Sequence, residues 1–345
     1  YIEHLLSNRR GAVVAINPEN GEILAFVSSP GYDPNLFVDG ISHENYNNLL
    51  NDKRKPLINR ASRGQYPPGS TTKPFIGLGA LEAGITDMKE KIFDPGYFEY
   101  QNRRYRNWRR DGHGWTDLHR SIVESVDTYY YKMSLDMGID TIHDILWPFG
   151  FGHTTGIDLP GEASGILPSQ EWKRSTYGKA WFRGETIIAS IGQGYNLVTP
   201  LQLAKATSIL ANRGRIVTPH LVKDLTLPQA EQIPIKKREH WEYVIDAMHD
   251  AVHTPRGTAW RSGQHLEGFK AAGKTGTAQV FSLNDGEYNE EELDKRLHDH
   301  SLFVGFAPVT RPKIAISVIV ENAGGGGRVA APVGLQIINH YLKEL

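Results

Sequence analysis

Three short groups of residues carry side chains that could do chemistry together. Ser70 and Lys73, within Pro67-Pro-Gly-Ser70-Thr-Thr-Lys73-Pro74, stand three residues apart at a predicted helix start. Pro74 suits an early turn and would break a helix interior. At that spacing two side chains share one helix face, so an amine can reach a hydroxyl. A serine hydroxyl is a poor nucleophile at neutral pH, and a lysine whose pKa is lowered by burial or by a nearby cation can act as its base. Ser125-Val-Asp127 stands just before a second predicted helix, and Lys274-Thr275-Gly276-Thr277 at the start of a predicted strand. Taken singly, each group has a plain structural explanation: a capping Ser beside a solvated Lys, a capping Ser with a first-turn acid, a Lys next to a Gly turn. Their order along the chain, Ser-x-x-Lys, then Ser-x-Asp, then Lys-Thr-Gly, is what gives them weight.

The elements that must position them follow from periodicity. Gly11 to Ile16 and Glu22 to Ser28 read as strands joined by Asn17-Pro-Glu-Asn-Gly21, whose Asn-Gly ending is a hairpin signal. Ser301 to Phe306 and Lys313 to Val320 read as a second hairpin, and Gly276 to Phe281 as a lone strand before it. From Pro332, Leu335, Ile338, Tyr341, Leu342 and Leu345 recur at helical spacing, which predicts a terminal helix covering a sheet built from both chain ends. Between the ends the signals are helical: Phe75, Leu78 and Glu82 before Gly84; Thr128 to Met137 before Gly138; and Thr199-Pro-Leu-Gln202, a capping box, running toward Gly214. The expected fold is α+β, one antiparallel sheet flanked by helices with a helical lobe inserted: an α/β lobe of about residues 1–65 and 265–345 and a mainly helical lobe of about 66–264 in a single domain.

Composition narrows the function. The 345 residues carry 38 Lys and Arg against 39 Asp and Glu, a formal charge of −1, which gives no general attraction to nucleic acid or anionic lipid. With no Cys, disulfides and thiolate chemistry are excluded. The longest apolar run, Ile314 to Val320, is too short to span a bilayer. The sequence opens at Tyr1 without an initiator Met, so an upstream part carrying an anchor is expected. Arg103, Arg104, Arg106, Arg109 and Arg110 interleave with Tyr105 and Trp108, which reads as a surface hairpin or a contact to a partner or anionic polymer. The acidic stretch from Ser282 to Asp299 reads as a loop between strands.

With its three motifs in order, the sequence resembles the penicillin-binding transpeptidase domain of the acyl-serine transferases over nearly all its length. Gly156-Ile-Asp-Leu-Pro-Gly-Glu-Ala-Ser-Gly165, and Ile191-Gly-Gln-Gly194 with Thr199-Pro-Leu-Gln202, resemble segments of peptidoglycan synthases. Gly11-Ala-Val-Val-Ala-Ile-Asn-Pro, Val27-Ser-Ser-Pro-Gly-Tyr-Asp-Pro34 and Asp127-Thr-Tyr-Tyr-Tyr with Asp136-Met-Gly138 resemble the class B enzymes of rod elongation. The resemblance implies that Ser70 attacks the D-Ala-D-Ala carbonyl of a peptidoglycan stem peptide, is trapped by β-lactams, and passes the acyl group to an amine. Lys73 would take the Ser70 proton, and Ser125, between Lys73 and Lys274, would relay one to the leaving group. Lys274 and Thr275 would bind the terminal carboxylate, the N–H groups of Ser70 and Thr277 would form the oxyanion hole, and Gly276 would leave room for substrate along the strand edge. Asp127, where many relatives have Asn, would orient substrate or serve the structure.

The resemblance also implies a membrane helix and pedestal domain upstream, a place on the periplasmic face of the bacterial inner membrane, and a SEDS-type glycan polymerase and elongation-complex proteins as partners. No cofactor and no nucleic acid are implied. Some relatives hold a structural zinc through two Asp, a His and a Cys. Asp94 and His113 match two of these, Asn107 and Val126 stand at the others, and Asp111, Asp117 and His119 are the replacements within reach, so no metal is expected. A hydrolytic variant, a DD-carboxypeptidase or β-lactamase, would need a deacylating group, for which Glu162 and Glu185 are the candidates. A β-lactam sensor would not be expected to carry the synthase segments.

Overall fold

A computed structural model describes residues 1–7, 9–223, 225, 229–280 and 295–345. The labelled elements run β1 (Gly11–Ile16), β2 (Ile23–Ser29), α1 (Lys73–Ala83), β3 (Tyr97–Tyr100), β4 (Arg103–Arg106), α2 (Leu118–Val123), α3 (Asp127–Leu146), α4 (Pro200–Ala211), α5 (Arg238–His253), β5 (Ala272–Ala278), β6 (His300–Ala307), β7 (Ile314–Val320) and α6 (Ala330–Lys343). The five-stranded sheet has the order β2-β1-β7-β6-β5, and every neighbouring pair is antiparallel. Both ends of the chain therefore build one sheet, as the sequence predicts. Both hairpins are present, and β5 starts at Ala272 rather than Gly276, so Lys274 lies inside the strand.

β1 and β7 are buried along their whole length, because helices cover both sheet faces and a strand between two layers needs no polar side. Alternation sorts the side chains. Leu302, Val304, Phe306, Ala315 and Ile319 join the core shared with α1, α3, α4 and α5, while Phe303, Ile316, Val318 and Val320 pack with Val333, Leu335, Ile337 and Ile338 of α6. Leu345 lies beyond the end of α6 and is exposed, so the terminal apolar pattern stops one residue short of the expectation.

The helical signals hold with two adjustments. Gly84 closes α1 at φ 71°, and Thr199 with Gln202 forms the predicted capping box of α4, which ends at Ala211. Gly138 does end the first helical stretch of α3, as expected, but a second stretch follows it directly. Gly138 takes φ 71° and ψ 166°, and the helix resumes beyond this kink as far as Leu146. The region 66–264 also holds strands: β3 pairs with β4 across Gln101 and Asn102, both at positive φ, and Ile92–Asp94 pairs with Gly114–Thr116. Most of the acidic stretch read as a loop, together with Phe281, lies outside the described residues. No described helix is long and apolar enough to cross a membrane.

Phe303 is fully buried, and three glycines make room for its ring: a Cβ at Gly334, Gly273 or Gly305 would come within 2.4, 2.6 or 2.9 Å of it. Phe303→Ala leaves a cavity that backbone on three sides cannot fill. It should lower unfolding stability by about 3–5 kcal/mol in urea titrations. Gly334→Ala should also destabilise, and by less when combined with Phe303→Leu than the two separate losses sum to.

Candidate active site

A 3-10 turn, Gly69–Thr72, runs directly into α1, so Ser70 and Lys73 lie on one continuous helical path. Lys73 is fully buried, whereas Ser70 is half-buried. The turn is pressed onto β5, since a Cβ on Gly69 would meet the Thr277 carbonyl oxygen at 2.5 Å. Gly276 faces the same turn, and a Cβ there would meet Thr71 Cγ2 at 2.7 Å. Its smallness therefore admits the serine turn itself. β5 is an edge strand of the sheet, a place where an extended peptide can add.

Between α2 and α3 the chain turns sharply at Ser125, which holds φ 59°. Its Oγ accepts from Lys274 Nζ at 2.9 Å and lies 3.4 Å from Lys73 Nζ. Lys73 Nζ also donates to the Ser125 carbonyl at 2.9 Å and to Asp127 Oδ1 at 2.6 Å. Lys274 Nζ donates to the Thr275 carbonyl at 3.0 Å, and Thr275 Oγ1 bonds Thr258 Oγ1 at 2.7 Å. All the proposed groups thus gather at one place: Ser70, Lys73, Ser125, Asp127, and β5 from Lys274 to Thr277.

Two details depart from the sequence expectation. The Lys73 amine forms no hydrogen bond with the Ser70 hydroxyl, because Asp127 and Ser125 occupy it. Such bonds often tighten only when substrate is bound. Asp127 also points its carboxylate at Lys73, so its first role is as a counter-ion.

The electrostatics of the lysines differ. Burial pushes Lys274 well below the usual lysine value, and the Lys73 charge adds to the fall against the opposing Asp127. Burial pushes Lys73 down as well, but Asp127 opposes it by charge and hydrogen bond and Asp94 by charge.

Sequence reasoning missed several supports. Gln193 Nε2 donates to the Thr277 carbonyl at 2.9 Å, and the Gly69 N–H donates to the Gly192 carbonyl at 2.9 Å, so the Ile191-Gly194 segment clamps the turn and the strand together. Tyr130 Oη donates to the Lys73 carbonyl at 3.1 Å. The glycine spacing around Gln193 was the available signal. Glu162 and Glu185 are engaged elsewhere, the first accepting from the Thr155 N–H and the second pairing with Lys173 at 2.5 Å.

The residues matched to a zinc site in some relatives do not fit a metal. Asp94 Oδ2 accepts from Asn107 Nδ2 at 2.8 Å, from the His113 N–H at 2.9 Å and from His113 Nδ1 at 2.7 Å, while Oδ1 accepts from the Gly96 N–H. Asn107 therefore turns a donor toward the only carboxylate of the group, and Val126 supplies nothing. Asp117 caps α2, and His119 faces Asp246 and Asp250 on α5, so neither replaces the missing ligands.

The sequence model of the penicillin binding protein transpeptidase domain family matches residues 11–339. Peptidoglycan D,D-transpeptidase MrdA of Haemophilus influenzae is 45% identical over 356 residues, which cover 100% of this chain and 54% of that protein. Pseudomonas aeruginosa PBP2, solved in complex with WCK 5153, matches with a TM-score of 0.91 at 44% identity, over 99% of this chain and 76% of that one. Helicobacter pylori PBP2, solved in complex with MreC, gives 0.92 and 33% over 99% and 62%. The chain spans about half the length of the curated relatives it matches.

The buried lysines predict a pH dependence of stability. Lys274 has a depressed value when folded, so between that value and 10.5 the unfolded chain binds more protons, and stability rises with pH. Lys274→Met removes this titration. Across that window, wild type should gain up to about 1.4 kcal/mol per pH unit more than the variant in denaturant unfolding. Equal slopes would mean that Lys274 stays charged in the fold.

Proposed function

The chain belongs to the penicillin-binding protein transpeptidase family, and on that premise we propose that it is the catalytic part of a peptidoglycan D,D-transpeptidase that cross-links stem peptides during cell elongation. The observation that carries the reading is the Ser125 hydroxyl held between two buried amines beside the Ser70 turn. A hydroxyl so placed can pass a proton either way without moving a charge through water.

In this reading Ser70 Oγ attacks the carbonyl of the D-Ala-D-Ala bond as its proton passes to Lys73. The N–H groups of Ser70 and Thr277 stabilise the oxyanion, a contribution of about 2.7–4 kcal/mol per donor in comparable sites. Ser125 delivers a proton to the departing D-Ala nitrogen and is reprotonated through the lysines. Lys274 and Thr275 hold the substrate carboxylate, whose charge draws the proton back onto Lys274. An amine of a second stem peptide then attacks the acyl-enzyme, giving up a proton by the same route and releasing Ser70. A β-lactam amide enters the first step and stops there.

The engagement of Glu162 with the Thr155 N–H and of Glu185 with Lys173, and of neither with Lys73 or Lys274, supports transfer to an amine over hydrolysis by water. The Helicobacter pylori relative's complex with MreC supports elongation-complex proteins as partners, and the resemblance to rod-elongation enzymes supports a SEDS-type polymerase and a place on the periplasmic face of the inner membrane.

Intact-mass measurement with a penicillin should give a stable one-to-one adduct in wild type and none in Ser70→Ala. Sustained hydrolysis of the antibiotic would replace the transferase reading with a hydrolase, and a stable adduct without cross-linking of stem peptides would favour a sensor. Asp127→Asn removes the charge that keeps the Lys73 proton on. The acid limb of the acylation pH profile should move to lower pH, and an unmoved limb would remove Lys73 as the base.

A further inference from the structure

Ser125 sits in a left-handed conformation that a side chain other than glycine adopts at a cost of about 1–3 kcal/mol. Something must impose it, and the polar groups bound to the flanking backbone identify what. The Val126 N–H donates to the Ser121 carbonyl at 2.9 Å, within the local turn. Lys73 Nζ holds the Ser125 carbonyl from inside. The other two contacts come from one segment upstream of α2. Trp108 Nε1 donates to the Glu124 carbonyl at 3.1 Å, and the Asp127 N–H reaches Asn107 Oδ1 at 3.5 Å. Asn107 and Trp108 thus grip the chain on either side of Ser125, just after the arginine-rich hairpin β3–β4.

Asn107 is itself fixed. It is buried, its N–H donates to the Gly96 carbonyl at 2.8 Å, and its Nδ2 donates to Asp94 Oδ2. Its Oδ1 accepts from the Trp108 N–H at 2.8 Å as well as from Asp127. A carboxamide suits this position because it offers a donor to one side and an acceptor to the other. An aspartate would set a second carboxylate against Asp94. His113 completes the group, bonding Asp94 through Nδ1 and lying against the Trp108 ring at 5.4 Å between centroids.

We propose that Asn107 and Trp108, anchored by Asp94 and His113, are positioning residues that hold the Glu124–Asp127 segment so that the Ser125 hydroxyl faces both lysines and Asp127 faces Lys73. The hydrogen-bonded group does this without a metal. The proposal rests on the reading of the site given above, and its test separates the two.

Trp108→Phe keeps an aromatic side chain and deletes the indole donor; Asn107→Asp keeps the shape and replaces the Nδ2 donor with an acceptor. Two quantities are read in each: the first-order acylation constant for a penicillin, resolved from its binding constant, and amide hydrogen exchange along the chain. Trp108→Phe should slow acylation about threefold to tenfold, as expected for one hydrogen bond, with binding unchanged. Asn107→Asp should slow it more than tenfold. In both, exchange at Val126 and Asp127 should quicken while α1 and β5 keep their protection. Wild-type acylation and exchange in both variants would overturn the proposal. So would exchange that quickens evenly through the domain, since that is loss of stability and not of position. If wild type forms no adduct, the transpeptidase reading falls, and the exchange data still decide this inference.

Discussion

Burying two lysines side by side is the constraint around which the rest of this structure is arranged. Lys73 and Lys274 are both fully withdrawn from water, and each buried charge carries a desolvation penalty of several kcal/mol in real proteins. The domain supplies one carboxylate, Asp127, one hydroxyl, Ser125, and two carbonyls against two amines. That is too little to hold two full positive charges, so one amine is driven toward its neutral form. The imbalance is chemically useful. A base must be neutral to take a proton, and a proton shared between two amines through a hydroxyl moves at little cost in either direction.

The fold serves this arrangement by fixing two chain segments that have no local reason to meet, the Ser70 turn with α1 and the strand β5. The Ser70 turn is locked to β5 by backbone contact at Gly69 and by the Gly192–Gln193 clamp. α1 crosses the core with Lys73 facing inward, and Tyr130 holds its first carbonyl. β5 owes its position to the ladder with β6, whose side chains fill both the helical core and the α6 layer. Because the sheet joins the two chain ends, Lys274 is delivered to residues some two hundred positions earlier by the same hydrogen bonds that make the fold stable.

Much of this is legible in the sequence because it depends on local chemistry. Asn20-Gly21 marks a hairpin, Thr199 and Gln202 mark a helix start, and Gly84 marks a helix end, each through a preference that holds regardless of surroundings. The start of β5 is not legible, since Ala272-Gly273-Lys274 has no preference for strand and becomes one only by pairing with β6. Gly138 shows the opposite limit. Its backbone does leave the helix, as the residue type suggests, but packing of Ile139, Ile142 and Leu146 restarts the helix beyond it.

The candidate site divides along the same line. Ser70, Lys73, Ser125, Asp127 and the strand from Lys274 are visible because their order recurs as a pattern, and a pattern conveys which residues meet but not how they are charged. The contact of Asp127 with Lys73 belongs to geometry, since an acid two residues after Ser125 could equally face substrate. The engagement of Asn107 and Trp108 with the Ser125 turn is more hidden still. Both stand in a segment whose arginines and aromatics suggest a surface, and the atoms their side chains bind, the Glu124 carbonyl and the Asp127 N–H, are backbone atoms that any residue possesses. A sequence reading weighs side chains, and so it overlooks a site held by carbonyls and amides. In this molecule those contacts are what allow a non-glycine residue to keep a positive φ between two buried amines.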